Sequence, residues 1–187
     1  MASPVNEIIN ESKKNKIKSD NDNAGATKTM FWDFLINTMS IGGFMFFLNL
    51  IIIGICICVV EQFLFVFLTD YFNATAFLCG LTLVFMVAGE TPVFGYSKWF
   101  LDKIGIVGLL TISHVSYIVR VFIYTILPQE KDKAWYILFV EPLHGLTFAG
   151  MWMASVEYGS KFAPPNLQGT MQGLISGLYG GFAASIG

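Results

Sequence analysis

The segment from Ala134 to Phe162 constrains the fold of this chain more than any other. It reads AWYILFVEPLHGLTFAGMWMASVEYGSKF, which is long enough to cross a lipid bilayer, yet Glu141, Pro142 and His144 lie inside it. A membrane helix needs about 20 mostly apolar residues. A charged side chain at its centre costs about 2.5–3.5 kcal/mol on insertion scales, so it normally faces a bundle interior or a watery cavity. The segment therefore predicts a membrane helix whose polar face lines a path for a solute.

The composition is that of a membrane protein. The chain is 55% hydrophobic and 13% charged, whereas soluble domains carry about 25% charged residues. Cys56, Cys58 and Cys79 all fall in apolar segments, which predicts packing residues rather than a disulfide or metal framework. The sequence offers no nucleophile–base pair or metal-ligand cluster at a water interface. We therefore expect no enzyme activity, no cofactor and no nucleic-acid partner; the expected partners are the lipid bilayer and a small polar solute.

Five apolar segments predict an all-α fold, a polytopic membrane helix bundle within residues 39–187. Their predicted bounds are 41–68, 74–97, 106–127, 134–160 and 167–187. The connections between them are short, so neighbouring helices should be antiparallel. Residues 1–38 are polar and rich in Lys and Asn, which predicts a disordered cytoplasmic tail or a linker.

The distribution of Lys and Arg predicts the orientation of the bundle. If the tail is cytoplasmic, that side collects eight of the eleven Lys and Arg, and the opposite side holds Lys131 and Lys133. Positive charge accumulates on the cytoplasmic side of membrane proteins. We therefore expect an integral multi-pass protein with its N-terminus inside and Gly187 outside, in either the plasma membrane or an internal one.

Three charged residues share one depth in the predicted bundle. Glu61, Arg120 and Glu141 each lie seven residues from the outer end of their segment, or about 10 Å deep at the standard helical rise. Arg cannot shed its proton, so Arg120 needs an anion, a carbonyl or water beside it. We expect it to pair with Glu141 or Glu61. His144 lies nearer the midplane and Glu90 in the inner half, which gives the ladder of titratable groups that a proton relay requires.

Two interpretations of this ladder stay open. Its members can carry protons and solute, with Glu141 as the favoured proton carrier, or Arg120 and Glu141 can form a purely structural buried pair. His144, one turn from Glu141, fits a proton carrier and equally a hydrogen-bonded packing residue, while His114 favours packing. The candidates for the proton and solute path are Glu61, Glu90, Arg120, Glu141 and His144.

The fifth segment carries glycines at a spacing of four residues, namely Gly169, Gly173, Gly177 and Gly181. They form three overlapping G-x-x-x-G motifs, which let another helix backbone approach closely. We expect this row to be a helix-packing face, either static or sliding.

Residues 139–181 read FVEPLHGLTFAGMWMASVEYGSKFAPPNLQGTMQGLISGLYGG, and VEQFLF at 60–65 and ETPVF at 90–94 support the same match. This pattern resembles the C-terminal half of a major facilitator superfamily transporter. It is most similar to the branch of major facilitator superfamily domain-containing protein 6, whose relatives resemble sugar and nucleoside–proton symporters. The resemblance covers about residues 38–187. It implies proton-coupled transport of a small polar solute by alternating access; the alternative is a non-transporting receptor or scaffold that keeps the fold.

The residues KWFLDKIG at 98–105 resemble the cytoplasmic gating motif of that superfamily, G-x-x-x-D-[RK]-x-G. Asp102, Lys103 and Gly105 match it, while Lys98 replaces the first glycine. A full transporter of this type has two six-helix halves with the solute site between them. The resemblance therefore implies that the five segments correspond to helices 7–11, and that the N-terminal half and the twelfth helix are missing partners of this chain.

Overall fold

The computed structural model describes residues 32, 36, 40–127 and 130–186, with the side chains at positions 131 and 132 excepted. Its regular secondary structure within these ranges is entirely helical, which confirms the predicted all-α membrane bundle. The predicted tail at residues 1–38 lies outside the described residues apart from Trp32 and Ile36, and Gly187 lies outside them as well.

Four helices of the described chain are long and apolar enough to cross a membrane. They are α1 (Ile41–Phe72), α2 (Ala76–Gly95), α3 (Ser97–Ile126) and α4 (Lys133–Phe162). The fifth predicted segment forms a helical stretch, α5, which is divided into Gln168–Ser176, a π-helical part at Gly177–Ala183 and Ala184–Ile186. α5 is not among the four spanning candidates.

The turn between α1 and α2 is tighter than the predicted one. α1 continues to Phe72 and ends at Asn73, whose backbone is left-handed with φ 50° and whose N–H donates to the Leu68 carbonyl. Thr75 then caps α2, because its hydroxyl accepts a hydrogen bond from the Leu78 N–H at 3.3 Å. Asn tolerates a left-handed backbone, so the chain reverses direction within three residues.

The predicted loop at residues 98–105 is helical instead. α3 begins at Ser97 and contains one break at Gly105, which has φ 72° and ψ 177°. Charged residues at a membrane surface can stay solvated on a helix, which is why they did not require a loop here. A positive φ strains any residue with a side chain, so the break depends on glycine.

α4 is broken near its middle by Pro142. Proline has no backbone N–H to continue the helical hydrogen bonds, and the chain forms a turn in which the His144 N–H donates to the Glu141 carbonyl at 2.8 Å. A 3-10 helix (Lys131–Tyr136) and one α-turn (Ile137–Val140) precede this turn. A π-helical segment (Gly145–Ala149) and the α-helix Gly150–Phe162 follow it. Such π turns recur at functional sites.

Glycines let α2 approach the broken part of α4. A Cβ added to Gly89 would lie 2.5 Å from the Pro142 carbonyl oxygen, and one added to Gly145 would collide with the Gly89 carbonyl. In the same way, a Cβ on Gly54 of α1 would lie 2.9 Å from the Ala183 Cβ of α5. The backbones therefore touch, and the side chains next to these glycines can meet.

The predicted glycine face of α5 has no neighbour within the described part of the chain. A Cβ added at any of its four positions meets nothing within 4 Å: Gly169, Gly173, Gly177 and Gly181. α5 packs instead through other residues, with Met171 and Ile175 buried in the core beside Ile57. The role of the glycine row as a packing face stays a prediction about a partner outside these residues.

We expect Gly145→Ala to destabilise the protein by about 1–3 kcal/mol, since overpacking forces the backbone to move. Thermal unfolding of the purified chain in detergent measures this, and 1 kcal/mol corresponds to about 2–4 °C in a protein of this size. Gly80→Ala is the matched control, because a Cβ there meets nothing within 4 Å and alanine favours a helix by about 0.5–1 kcal/mol over glycine. Equal melting temperatures for both variants would contradict the close contact between α2 and α4.

Candidate functional site

Arg120 of α3 and Glu141 of α4 form a fully buried ion pair. The Arg120 Nη2 lies 2.8 Å from the Glu141 Oε2, and both side chains have 0% exposure. The Arg120 Nε donates to the Tyr124 hydroxyl at 2.6 Å, and that hydroxyl donates to the Glu141 Oε1 at 2.6 Å. Three hydrogen bonds thus close a ring. The predicted pairing of Arg120 is confirmed, and its partner is Glu141 rather than Glu61.

His144 connects this ring to two further carboxyl groups. Its Nδ1 lies 2.8 Å from the Arg120 Nη1, and a guanidinium can only donate. The Nδ1 therefore accepts, and the hydrogen of the neutral ring must be on Nε2. That nitrogen lies 3.2 Å from the Glu61 Oε1 and 3.2 Å from the Glu90 Oε1. One N–H group is thus shared between two carboxyl groups from α1 and α2.

The five residues predicted for the proton and solute path therefore form one connected network. Glu90 and Glu61 reach the same nitrogen of His144, a contact that the sequence did not predict, and the position of Glu90 in the inner half stays a prediction. The contact of Gly89 with Gly145 explains how Glu90 reaches His144, since it brings the neighbouring Glu90 against the broken part of α4. The structure thus joins these residues through contacts around His144 and Arg120.

His114 lies apart from this network, as the packing interpretation expected. Its Nδ1 donates to the Leu110 carbonyl of its own helix at 2.6 Å, and its Nε2 lies 3.0 Å from the Asn49 Nδ2 of α1. Both ring nitrogens thus have partners that do not belong to the charged cluster.

The network has a sealed side and an open side. Glu61 is 39% exposed and Glu90 is 21% exposed, whereas Arg120 and Glu141 are fully buried. A cavity of about 450 Å³ lies on the open side. Its wall is formed by Glu61, Phe65, Leu83, Met86, Val87, Glu90, His144, Phe148 and Tyr179. A solute in this cavity would meet the carboxyl groups of α1 and α2 and never the guanidinium.

Aromatic rings form the other prominent part of this wall. The Phe148 ring stacks on the imidazole of His144, with centroids 5.7 Å apart, and lies 5.8 Å from the ring of Tyr179. Trp152 extends the series, with its centroid 6.1 Å from that of Phe148. These rings come from α4 and from the π-helical part of α5, so the two irregular segments of the bundle both face the cavity.

A family model described as MFS_1 like family matches residues 1–187. The chain belongs to the MFS_1 like family. It is accordingly an integral, multi-pass membrane protein and a transporter of the major facilitator type, which agrees with its apolar helices. No solved structure matches the chain.

The residues that resemble the gating motif lie away from the cavity of this MFS_1 like protein. Asp102 and Lys103 are exposed on the first part of α3, just before the break at Gly105. Gly105 matches the motif and has the left-handed backbone of that break. The arrangement brings none of the three to His144, and their conformational role stays a prediction.

Three residues of the site were missed in the sequence. Tyr124 and Phe148 each lie four residues after a predicted site residue, Arg120 and His144, and therefore on the same helix face. That four-residue spacing could have indicated that Tyr124 and Phe148 belong to the site. Tyr179 has no predicted residue of the proton and solute path three or four positions away on α5, so no such signal existed for it.

Proposed function

We propose that this MFS_1 like protein moves a small polar solute across the membrane by alternating access, coupled to protons. The observation that carries the proposal is the sharing of one His144 N–H between the carboxyl groups of Glu61 and Glu90 at a cavity wall. Ionisable groups inside a membrane bundle are costly and typically mark solute paths or proton relays. Alternating access then exposes these groups to each side in turn.

The exchangeable protons belong to Glu61 and Glu90 in this proposal. Both side chains face the cavity, whereas Glu141 is enclosed by Arg120 and Tyr124. Because Arg120 keeps its proton at every physiological pH, it holds Glu141 as a permanent counterion. A proton on the Nδ1 of His144 would point at the N–H of Arg120 that this nitrogen now accepts. His144 therefore positions the two carboxyl groups and does not itself carry the proton.

The missing partner of the chain is a second transporter half together with a twelfth helix. The open glycine row of α5 and the exposed carboxyl groups of the cavity both support a further helical layer. Two six-helix halves are also what the resemblance to the branch of major facilitator superfamily domain-containing protein 6 implies. Sequencing the transcript upstream of Met1 tests the proposal, which requires six further apolar segments in the same reading frame.

A receptor or scaffold that retains the fold is the second candidate function. The complete burial of the Arg120–Glu141 pair favours it, since such a pair can serve architecture alone. Uptake into cells that express the chain together with its proposed second half and twelfth helix distinguishes the two, with a panel of sugars, nucleosides and amines tested under both directions of a pH gradient. Flux of at least one solute that changes with the gradient supports transport, and the absence of any such flux supports the scaffold.

The cytoplasmic position of the N-terminus also belongs to the proposal. Single cysteines at Ser19 and Lys161 should resist an impermeant thiol reagent in intact cells, while one at Gln129 should react. Ser19 and Gln129 lie outside the described residues, and Lys161 is exposed at the end of α4. Background labelling is controlled by replacing the three native cysteines. Reaction at Ser19 from the outside would reverse the orientation.

A further inference from the structure

The charges around His144 do not balance. Two carboxyl groups, those of Glu61 and Glu90, contact this residue, and a third, that of Glu141, is linked to it through Arg120. Arg120 is already paired with Glu141 and enclosed by Tyr124. Glu61 and Glu90 are therefore left without a cation inside a membrane bundle, where an uncompensated charge is expensive. Each must take up a proton or receive a positive group from the cavity.

The cavity itself is built for a positive group with an apolar body. Its wall contains no Lys or Arg, and the one imidazole in it is neutral because Arg120 donates to its Nδ1. The remaining surface consists of Phe65, Phe148, Tyr179 and aliphatic side chains. Aromatic faces attract cations within about 6 Å of the ring. Its volume of about 450 Å³ falls in the range of pockets that hold small organic ligands.

We propose that this cavity binds a small organic cation, an ammonium group attached to an apolar or aromatic body, with the charge between Glu61 and Glu90 and the body against Phe148 and Tyr179. The inference rests on the proposed transport function and names the chemical class of its solute. A sugar would leave the compensation of the two carboxyl groups to protons alone, and an anion would add a further negative charge beside them. Protons and the organic cation compete for the same carboxyl oxygens, so the protein exchanges one for the other.

A series of three ligands that share a phenethyl group and differ in charge tests the inference on the purified chain in detergent. Isothermal titration calorimetry compares phenethylammonium, neutral 2-phenylethanol and anionic 3-phenylpropanoate. We expect the cation to bind at least tenfold more tightly than the alcohol, and the anion not to bind. Because all three measurements use the wild-type chain, they do not depend on the folding of any variant. Equal affinity for alcohol and cation, or preference for the anion, would overturn the inference.

Variants of the cavity wall locate the binding. Glu61→Gln and Glu90→Gln should each weaken phenethylammonium binding at least tenfold, and Phe148→Leu should weaken it less. Glu157→Gln should bind as the wild type does, because Glu157 pairs with Lys161 at 2.9 Å outside this cavity. Unchanged affinity in both carboxamide variants would overturn the inference.

Transport measurements separate this inference from the proposed function. Charge-selective binding without any flux in cells would contradict transport and leave the cation site standing. Flux that follows the pH gradient for a sugar or an anion, with no flux of phenethylammonium, would support transport and contradict the cation site.

Discussion

Arg120→Leu should be the most damaging single change in the described part of the protein. It leaves the buried Glu141 carboxylate without its cation, and it removes the donor that fixes the ring of His144. Breaking a buried ion pair by removing one partner costs about 3–5 kcal/mol. We expect a melting temperature lowered by roughly 6–20 °C, at about 2–4 °C per kcal/mol, together with a strongly reduced amount of protein in the membrane.

A second substitution identifies the partner. Arg120→Leu combined with Glu141→Leu removes both charges and should recover most of the lost stability, since replacing a whole buried pair is often nearly neutral. Arg120→Leu combined with Glu61→Leu should remain unstable, because Glu141 stays unpaired. Rescue by the second combination and failure of the first would show that the ion pair has been assigned to the wrong carboxylate.

Flux that is driven by a pH gradient should lose its pH dependence in Glu61→Gln and in Glu90→Gln. Glutamine keeps the shape of glutamate and a hydrogen-bonding head, but it cannot bind or release a proton. The loss should be complete in each single variant, because one His144 N–H serves both carboxyl groups and the two sites act together. Uptake of radiolabelled solute under an imposed gradient, normalised to the amount at the cell surface, measures the effect.

Two further variants serve as a control and as a test of the alternative proton carrier. Glu157→Gln should keep the full pH response, since its ion pair with Lys161 lies on another face of α4. Glu141→Gln should mainly lower stability, because Arg120 loses its counterion. If Glu141→Gln is stable and well expressed but its flux shows no pH response, Glu141 is the proton carrier, as the sequence alone favours. A normal response in Glu61→Gln would remove Glu61 from the proton path.

Helix geometry limited the predicted partners of Arg120 to Glu141 and Glu61, and the structure shows that Glu141 is the partner. The rise of a helix converts position into depth, and Arg120 and Glu141 fall at the same depth in neighbouring segments. The pairing followed because a buried guanidinium needs an anion. The contact of Glu90 with His144 could not be predicted in the same way, because it depends on the break at Pro142 and on the close approach of Gly89 to Gly145.

The glycine row of α5 shows that glycine spacing does not identify the helix that packs against it. A G-x-x-x-G spacing states that a helix can pack closely, but the partner is decided by the side chains of both surfaces. In the described chain, close approach occurs at isolated glycines such as Gly54 and Gly159, which face Ala183 and Ile175. No repeating pattern marks these two, so sequence reasoning selected the regular row and missed the glycines in contact.

The length of α1 exceeds the thickness of the hydrocarbon core of a bilayer. Its 32 residues extend about 48 Å at 1.5 Å per residue, while the hydrocarbon core is about 30 Å thick. Even a tilt of about 40°, the upper end of the usual range, shortens its projection only to about 37 Å. At least one full turn of α1 therefore extends beyond the hydrocarbon core, and the exposed Thr69 and Asp70 near its end suit that position. The short connection between α1 and α2 is thereby placed beyond the hydrocarbon core rather than within it.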